Sequence, residues 1–193
     1  MRAGYSVMSE KGIDAATMQE IAERADVGAG TVYSYFKSKD ELAVSVIERV
    51  MHNQALRIEQ ATKGFKDPAQ VYAYGVRTVI EAATGDLRWR QLLNRPEVIA
   101  EAMFRCHGPF AIRDLERAAR AGRFTLTDAR LTFKLACYAI VGVSVAIGHG
   151  EMPASAIEPA VVRLVCMAGL SEADAVELAG RPRPPMPPEQ PHI

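Results

Sequence analysis

At 193 residues the chain can hold a small headpiece and one helical core domain, and its 49% apolar content is ample to fill that core. The 23 basic residues balance the 23 acidic ones, so no bulk positive field draws the chain toward nucleic acid. Three scattered cysteines form no CxxC pair, and no HxxxH, nucleophile elbow, phosphate loop or dinucleotide fingerprint occurs. This pattern argues against an enzyme, a metal centre and a bound cofactor. The longest apolar run, residues 135–148, is shorter than the ~20 residues that span a bilayer. With an N-terminus that enters helix directly, the expectation is a cytoplasmic chain with no membrane partner.

Residues 2–10 read as the second half of a first helix. Thr17 followed by Glu20 is a capping box that starts the next one, with Met18, Ile21, Ala22 and Ala25 on its buried face. The run Asp26-Val27-Gly28-Ala29-Gly30 breaks the helix, since Asp tolerates and Gly favours left-handed backbone. Val27, the one aliphatic residue larger than Ala in that turn, is expected to plug the gap between helices. A short helix from Thr31 to Phe36 turns Val32 and Phe36 inward and leaves Thr31, Tyr33, Ser34 and Tyr35 outward. Ser38 and Glu41 form a second capping signal, and a long helix follows to about Ala61.

Helix, tight turn and short helix over residues 17–41 form an arrangement that lays one helix across DNA and inserts the next into a groove. The segments TMQEIAERA and GTVYSYFKSKDEL, with Gly12 and Val27, resemble the DNA-binding domain of the tetracycline-repressor (TetR) family of bacterial regulators. The resemblance covers roughly residues 4–50. It implies an all-α fold with three segments: a helix-turn-helix headpiece over residues 1–45, a helical effector-binding and dimerisation domain over 46–180, and a proline-rich tail over 181–193. It also implies a homodimer on a pseudo-palindromic operator, acting as a repressor and released by a small, mostly apolar effector. A DNA-binding regulator without small-molecule control, and a thiol-based redox sensor using Cys106, Cys137 or Cys166, are the other readings of the same chain. Three departures stand out. Asp26 replaces the usual turn Gly. Gly28 and Ala29 replace a hydroxyl cap and a polar residue. The first helix begins late relative to the family.

Residues 1–60 carry seven basic and nine acidic side chains, so DNA affinity must come from local placement. Thr17 and Lys39 are expected on phosphates, Tyr35 on phosphate or sugar, and Gln19 on phosphate or a base edge. Thr31, Tyr33 and Ser34 are expected on base edges or backbone, with Gly28 and Gly30 permitting close approach and Ala29 giving apolar contact. The plain reading of Tyr33 and Tyr35 is half-buried packing.

Beyond the headpiece the periodicity stays helical. Asp67-Pro68 opens one helix, residues 86–94 form a short segment around Trp89, Leu92 and Leu93, and Pro96 opens another. Gly108-Pro109 is expected to break that helix and restart it. Residues 127–148 form the most hydrophobic helix, with an antiparallel neighbour over about 155–169 and a short final helix capped by Ser171. The effector pocket is expected among Tyr72, Val76, Trp89, Leu93, Met103, Phe104, His107, Phe110, Phe133, Cys137 and Tyr138. A helix apolar nearly all round must be covered on every side, so Ala139, Gly142, Val143 and Ala146 with Val161, Leu164 and Val165 are expected at the dimer interface. The spacing of Arg113, Arg117 and Arg120 reads as one solvated face. The tail RPRPPMPPEQPHI reads as disordered or polyproline.

Overall fold

The computed structural model describes residues 1–85 and 95–188, and the expectations for Trp89 and Leu93 fall outside them. Every regular element among these residues is helical: α1 (Arg2–Lys11), α2 (Met18–Arg24), α3 (Ala29–Tyr35), α4 (Lys39–Thr62), α5 (Pro68–Gly85), α6 (Pro96–Arg120), α7 (Ala129–Gly148), a 3-10 turn (Ala154–Ala156), α8 (Ile157–Cys166) and α9 (Glu172–Ala179).

Helices α1 to α3 and the start of α4 close the headpiece around Val7, Met8, Ile13, Met18, Ile21, Val32, Leu42 and Val46. Helix α1 crosses α4 at Gly4, where a Cβ would sit 3.3 Å from a Val46 methyl, so a larger residue would push the two helices apart. The capping box at Thr17 is complete: its hydroxyl accepts from the Glu20 N–H, and the Glu20 carboxylate accepts from the Thr17 N–H at 3.1 Å. Asp26 takes the left-handed conformation, φ 55°, that the turn requires. Val27 does not plug the gap between the helices, because it is exposed, as is Ala25. The α2–α3 contact is closed by Ile21, Ala22 and Val32 without them.

Helices α4 to α7 build the second domain, with α8 and α9 packed over α5. Helix α6 runs unbroken from Pro96 to Arg120 with Pro109 inside it, against the expected break. Proline removes one backbone donor there, but α6 packs along α4 and α7, which hold the helix through that position. By length and composition alone, α7 could cross a membrane, although its uninterrupted apolar run, residues 135–148, is shorter than a bilayer span. That run omits the first turns, where Ala129, Leu131 and Phe133 extend the apolar character. Helix α7 packs along α5 and α6.

The proline segment is not a free tail over residues 181–188. Arg181 pairs with Asp67 at 2.7 Å and Arg183 with Glu81 at 2.9 Å. The carbonyls of Pro184 and Pro187, which no helix or strand occupies, accept from the Tyr74 hydroxyl and the Arg57 Nε.

Candidate DNA-binding surface and effector cavity

Helix α3 is anchored by Val32, and everything else it carries faces out or half out. Tyr33 is 53% exposed and Tyr35 75% exposed, so neither is a half-buried packing residue. Thr31 lies beside them, and the Ser34 hydroxyl donates to the Thr31 carbonyl at 2.6 Å. Gly28 is the N-cap, without a side-chain bond, and a Cβ at Gly28 or Gly30 would meet nothing within 4 Å. Their small size is therefore not demanded by contacts within the chain, which leaves room for an external surface to approach. Gln19 is exposed on α2 and bonds Glu23; Thr17 is exposed at the cap; Ala29 is half-buried against the headpiece core. Lys39 Nζ donates to the Asp14 carbonyl at 2.6 Å, a partner that sequence reasoning did not foresee.

Charge pairs hold this surface in place. Arg24 of α2 bonds Glu10 of α1 through two nitrogens, which holds the Glu10 carboxyl down to about 2. Arg95, at the N-cap of α6, reaches back to Asp14 at 2.7 Å and Asp40 at 2.9 Å. One guanidinium thus joins the second domain to both the α1–α2 loop and the start of α4. Further along, Arg105 pairs with Glu48 at 2.7 Å and the Cys106 thiol donates to the Glu48 carbonyl. The sequence signal for these struts was weak, since an Arg and an Asp 81 positions apart carry no spacing that identifies them as partners.

In the second domain, α4, α5, α6 and α7 line a cavity of about 50 Å³, small beside the usual range for small-molecule sites. Six of the expected residues meet there: Tyr72, Val76, Met103, His107, Phe110 and Phe133. Sequence reasoning missed the other lining residues, among them Ile58, Glu59, Gly75, Asp114 and Ile140. The visible clue was Asp114, a carboxylate in phase with the apolar positions Ala111, Leu115 and Ala118.

Three expected residues lie elsewhere: Phe104 on α6, and Cys137 and Tyr138 on α7, which turns only its Phe133 and Ile140 face toward the cavity. Tyr138 is exposed on another face, its hydroxyl donating to Glu101 at 2.9 Å. Phe104 stacks on Phe133 from outside, lines a surface groove, and lies under the cations of Arg130 and Lys134. Cys137 is fully buried beside the cavity without lining it. Burial pushes its thiol up to about 12 and raises that of Cys106, so the thiolate that oxidant sensing needs is disfavoured at both.

The polar content of the cavity wall is unusual. Among the described residues, five buried side-chain polar atoms have no protein partner, and three belong to this wall: the Tyr72 hydroxyl and both ring nitrogens of His107. Tyr72 is 3% exposed and His107 6%. Burial, helped by nearby His52, pushes His107 down to about 4, so the ring is neutral. Burial raises Tyr72. At the edge, Arg113 grips both Glu59 oxygens at 3.0 and 2.6 Å and also bonds Asp114. The Arg113 side chain is 41% exposed, so it stays at the solvent edge with Arg117 and Arg120 while it braces the two carboxylates. Desolvation outweighs the guanidinium at Asp114 and raises its carboxyl.

The expected interface residues also separate. Ala139 and Gly142 are exposed on α7, with Val143 and Ala146 half-buried. Val161, Leu164 and Val165 are buried in the chain's own core, because the inner face of α8 packs on α5 and α9. The outward apolar stripe instead runs through Leu131, Leu135 and Tyr138.

Comparison with known proteins agrees with this architecture. The model of bacterial regulatory proteins of the tetR family matches residues 1–46, and that of the tetracyclin repressor-like C-terminal domain matches residues 67–181. The HTH-type transcriptional repressor KstR of Mycolicibacterium smegmatis is 31% identical over 100 residues, 52% of this chain and 49% of the relative. The matched segment thus spans about half the length of that curated relative. RolR without ligand superposes with a TM-score of 0.83 at 27% identity, over 96% of this chain and 97% of that one. RolR in complex with resorcinol superposes at 0.86, again at 27% identity, over 96% and 93% of the two chains. On these matches, the chain belongs to the tetR family of bacterial regulatory proteins.

Proposed function

We propose that the chain is a homodimeric repressor whose α3 helices read a pseudo-palindromic operator and whose affinity for it is lowered by a small, mostly apolar effector held in the cavity. The carrying observation is the outward face of α3, where Thr31, Tyr33 and Tyr35 are displayed without a role in the fold. In this reading Thr17, Gln19, Tyr35 and Lys39 meet phosphate or sugar, and Thr31, Tyr33 and Ser34 meet base edges. Gly28, Ala29 and Gly30 allow the groove to close on the helix N-terminus.

The dimer forms through the outward stripe of α7, comprising Leu131, Leu135, Tyr138, Ala139, Gly142, Val143 and Ala146. That stripe joins large apolar side chains to small ones, which suits close helix packing against a second copy. Two recognition helices then meet half-sites about 34–36 Å apart. The cavity lies between α4, which leads directly from the headpiece, and α6, whose Arg95 holds the headpiece loop. A ligand that fits one arrangement of α4 and α6 better than another shifts the spacing of the headpieces; equal affinity for both would shift nothing. The resorcinol complex of RolR supports an effector of one-ring size.

Selection of genomic fragments by the purified chain at two salt concentrations tests the reading. A recovered palindrome protected across both half-sites supports it. Diffuse binding that vanishes with salt overturns the sequence-specific reading.

A further inference from the structure

The cavity wall offers chemistry as well as shape. Its surface is largely apolar, with Val76, Met103 and the flat rings of Phe110 and Phe133. Into this surface the chain buries the Tyr72 hydroxyl and the His107 imidazole without giving either a partner. A buried polar group left unsatisfied costs about 1–3 kcal/mol, and cores ordinarily avoid it. Two such side chains on one cavity are what remains when the partner is supplied from outside. Both are uncharged, so each can present a donor and an acceptor. The carboxylates in the same wall, Glu59 and Asp114, are taken up by Arg113 and would repel an anion.

We infer that His107 and Tyr72 are the two groups that read the ligand of this cavity, and that the ligand is an uncharged ring compound bearing hydroxyl groups. A hydroxyl is donor and acceptor at once, which matches a neutral imidazole or a phenol. A carboxylate only accepts, and it carries a charge into a largely apolar wall whose two carboxylates share the Arg113 guanidinium. A bare hydrocarbon ring fills the apolar part and leaves both groups unsatisfied. The inference rests on the part of the proposed function that makes this cavity a ligand site.

Calorimetric titration of the full chain with resorcinol, toluene and benzoate tests it, with Tyr72→Phe and His107→Leu beside the unaltered protein. Resorcinol is expected to bind more tightly than either other probe. Each substitution should weaken it about tenfold, the worth of one hydrogen bond to a buried group, while toluene holds or gains. Toluene binding in the variants also shows that they fold with the cavity intact. Resorcinol affinity indifferent to both substitutions, or benzoate binding tighter than resorcinol, overturns the inference and leaves the cavity reading standing. No binding of any probe overturns both. The expected pattern without release of operator DNA would keep the inference and sink the effector reading.

Discussion

Tyr33 and Tyr35 in the headpiece and Tyr72 and His107 in the second domain depart from ordinary packing in opposite senses. The first pair is large, aromatic and displayed to solvent. The second is polar, buried and without partners. Each departure is a cost that the fold alone does not explain, and each marks a place where something outside the chain completes the contact. The difference lies in the partner that fits. An exposed aromatic and hydroxyl face on a short helix suits an extended surface such as a DNA groove. Unpaired polar atoms in an apolar hollow suit a small molecule.

The largest test addresses the surface that would join two copies. Leu135→Arg places like charges against each other across a two-fold interface, at a cost of several kcal/mol. Sedimentation should show a monomer at micromolar concentration, with operator binding lost and helicity kept. A persistent dimer would remove the α7 stripe from the interface and leave the headpiece as the better-supported half of the comparison.

Acid unfolding sharpens the buried side. The folded chain holds His107 near 4, below its ordinary value of 6.5, because burial and His52 disfavour the cation. Between those values the unfolded chain takes up a proton that the folded chain refuses, so stability falls as pH drops through that window. The loss is about 3 kcal/mol at most, and it levels off below the folded value. Denaturant titrations from pH 7 to pH 4 should show it in the unaltered chain. His107→Leu should flatten the profile; an unchanged profile would mean that another group carries the dependence.

The two regions also differed in how far the sequence revealed them. In the headpiece, the capping pairs Thr17–Glu20 and Ser38–Glu41 lie only three positions apart, although the Glu41 carboxylate accepts from the Lys37 N–H and so leaves the second box incomplete, and the turn residues lie between the two helices they join. Local chemistry therefore identified Thr17, Asp26, Val32 and the outward tyrosines. The exceptions, Ala25 and Val27, failed because side-chain volume does not say which neighbours already fill a gap. The cavity draws on four helices, so its composition depends on how each helix is rotated about its axis. Apolar periodicity found Tyr72, Val76, Met103 and Phe133. It could not separate Phe133 and Ile140 from Tyr138 on α7, nor see that the neighbour of Arg113 would be Glu59, 54 positions away. Val161, Leu164 and Val165 were read as facing outward because α5 and α9 leave no trace in the pattern of α8.

A smaller effect separates base reading from mere display. Tyr33→Ala should weaken specific binding by roughly 1–2 kcal/mol and non-specific binding less, with stability within about 0.5 kcal/mol. Equal losses on both kinds of DNA, measured by fluorescence anisotropy, would make Tyr33 a backbone contact.

Lys39 gives the finest distinction, because its amine already has a partner within the chain, the Asp14 carbonyl. Two roles are open to it. If it turns to phosphate in the complex, it releases one counterion, and Lys39→Ala should lower the slope of log affinity against log salt by about one. If it stays on Asp14, it braces the same loop that Arg95 holds from the second domain, and the slope should not change. Loss of the bond would then show as a small drop in stability, about 1 kcal/mol, as expected for one hydrogen bond to a charged group near solvent. Measured together, the salt slope and the unfolding midpoint assign Lys39 to the DNA or to the loop behind it.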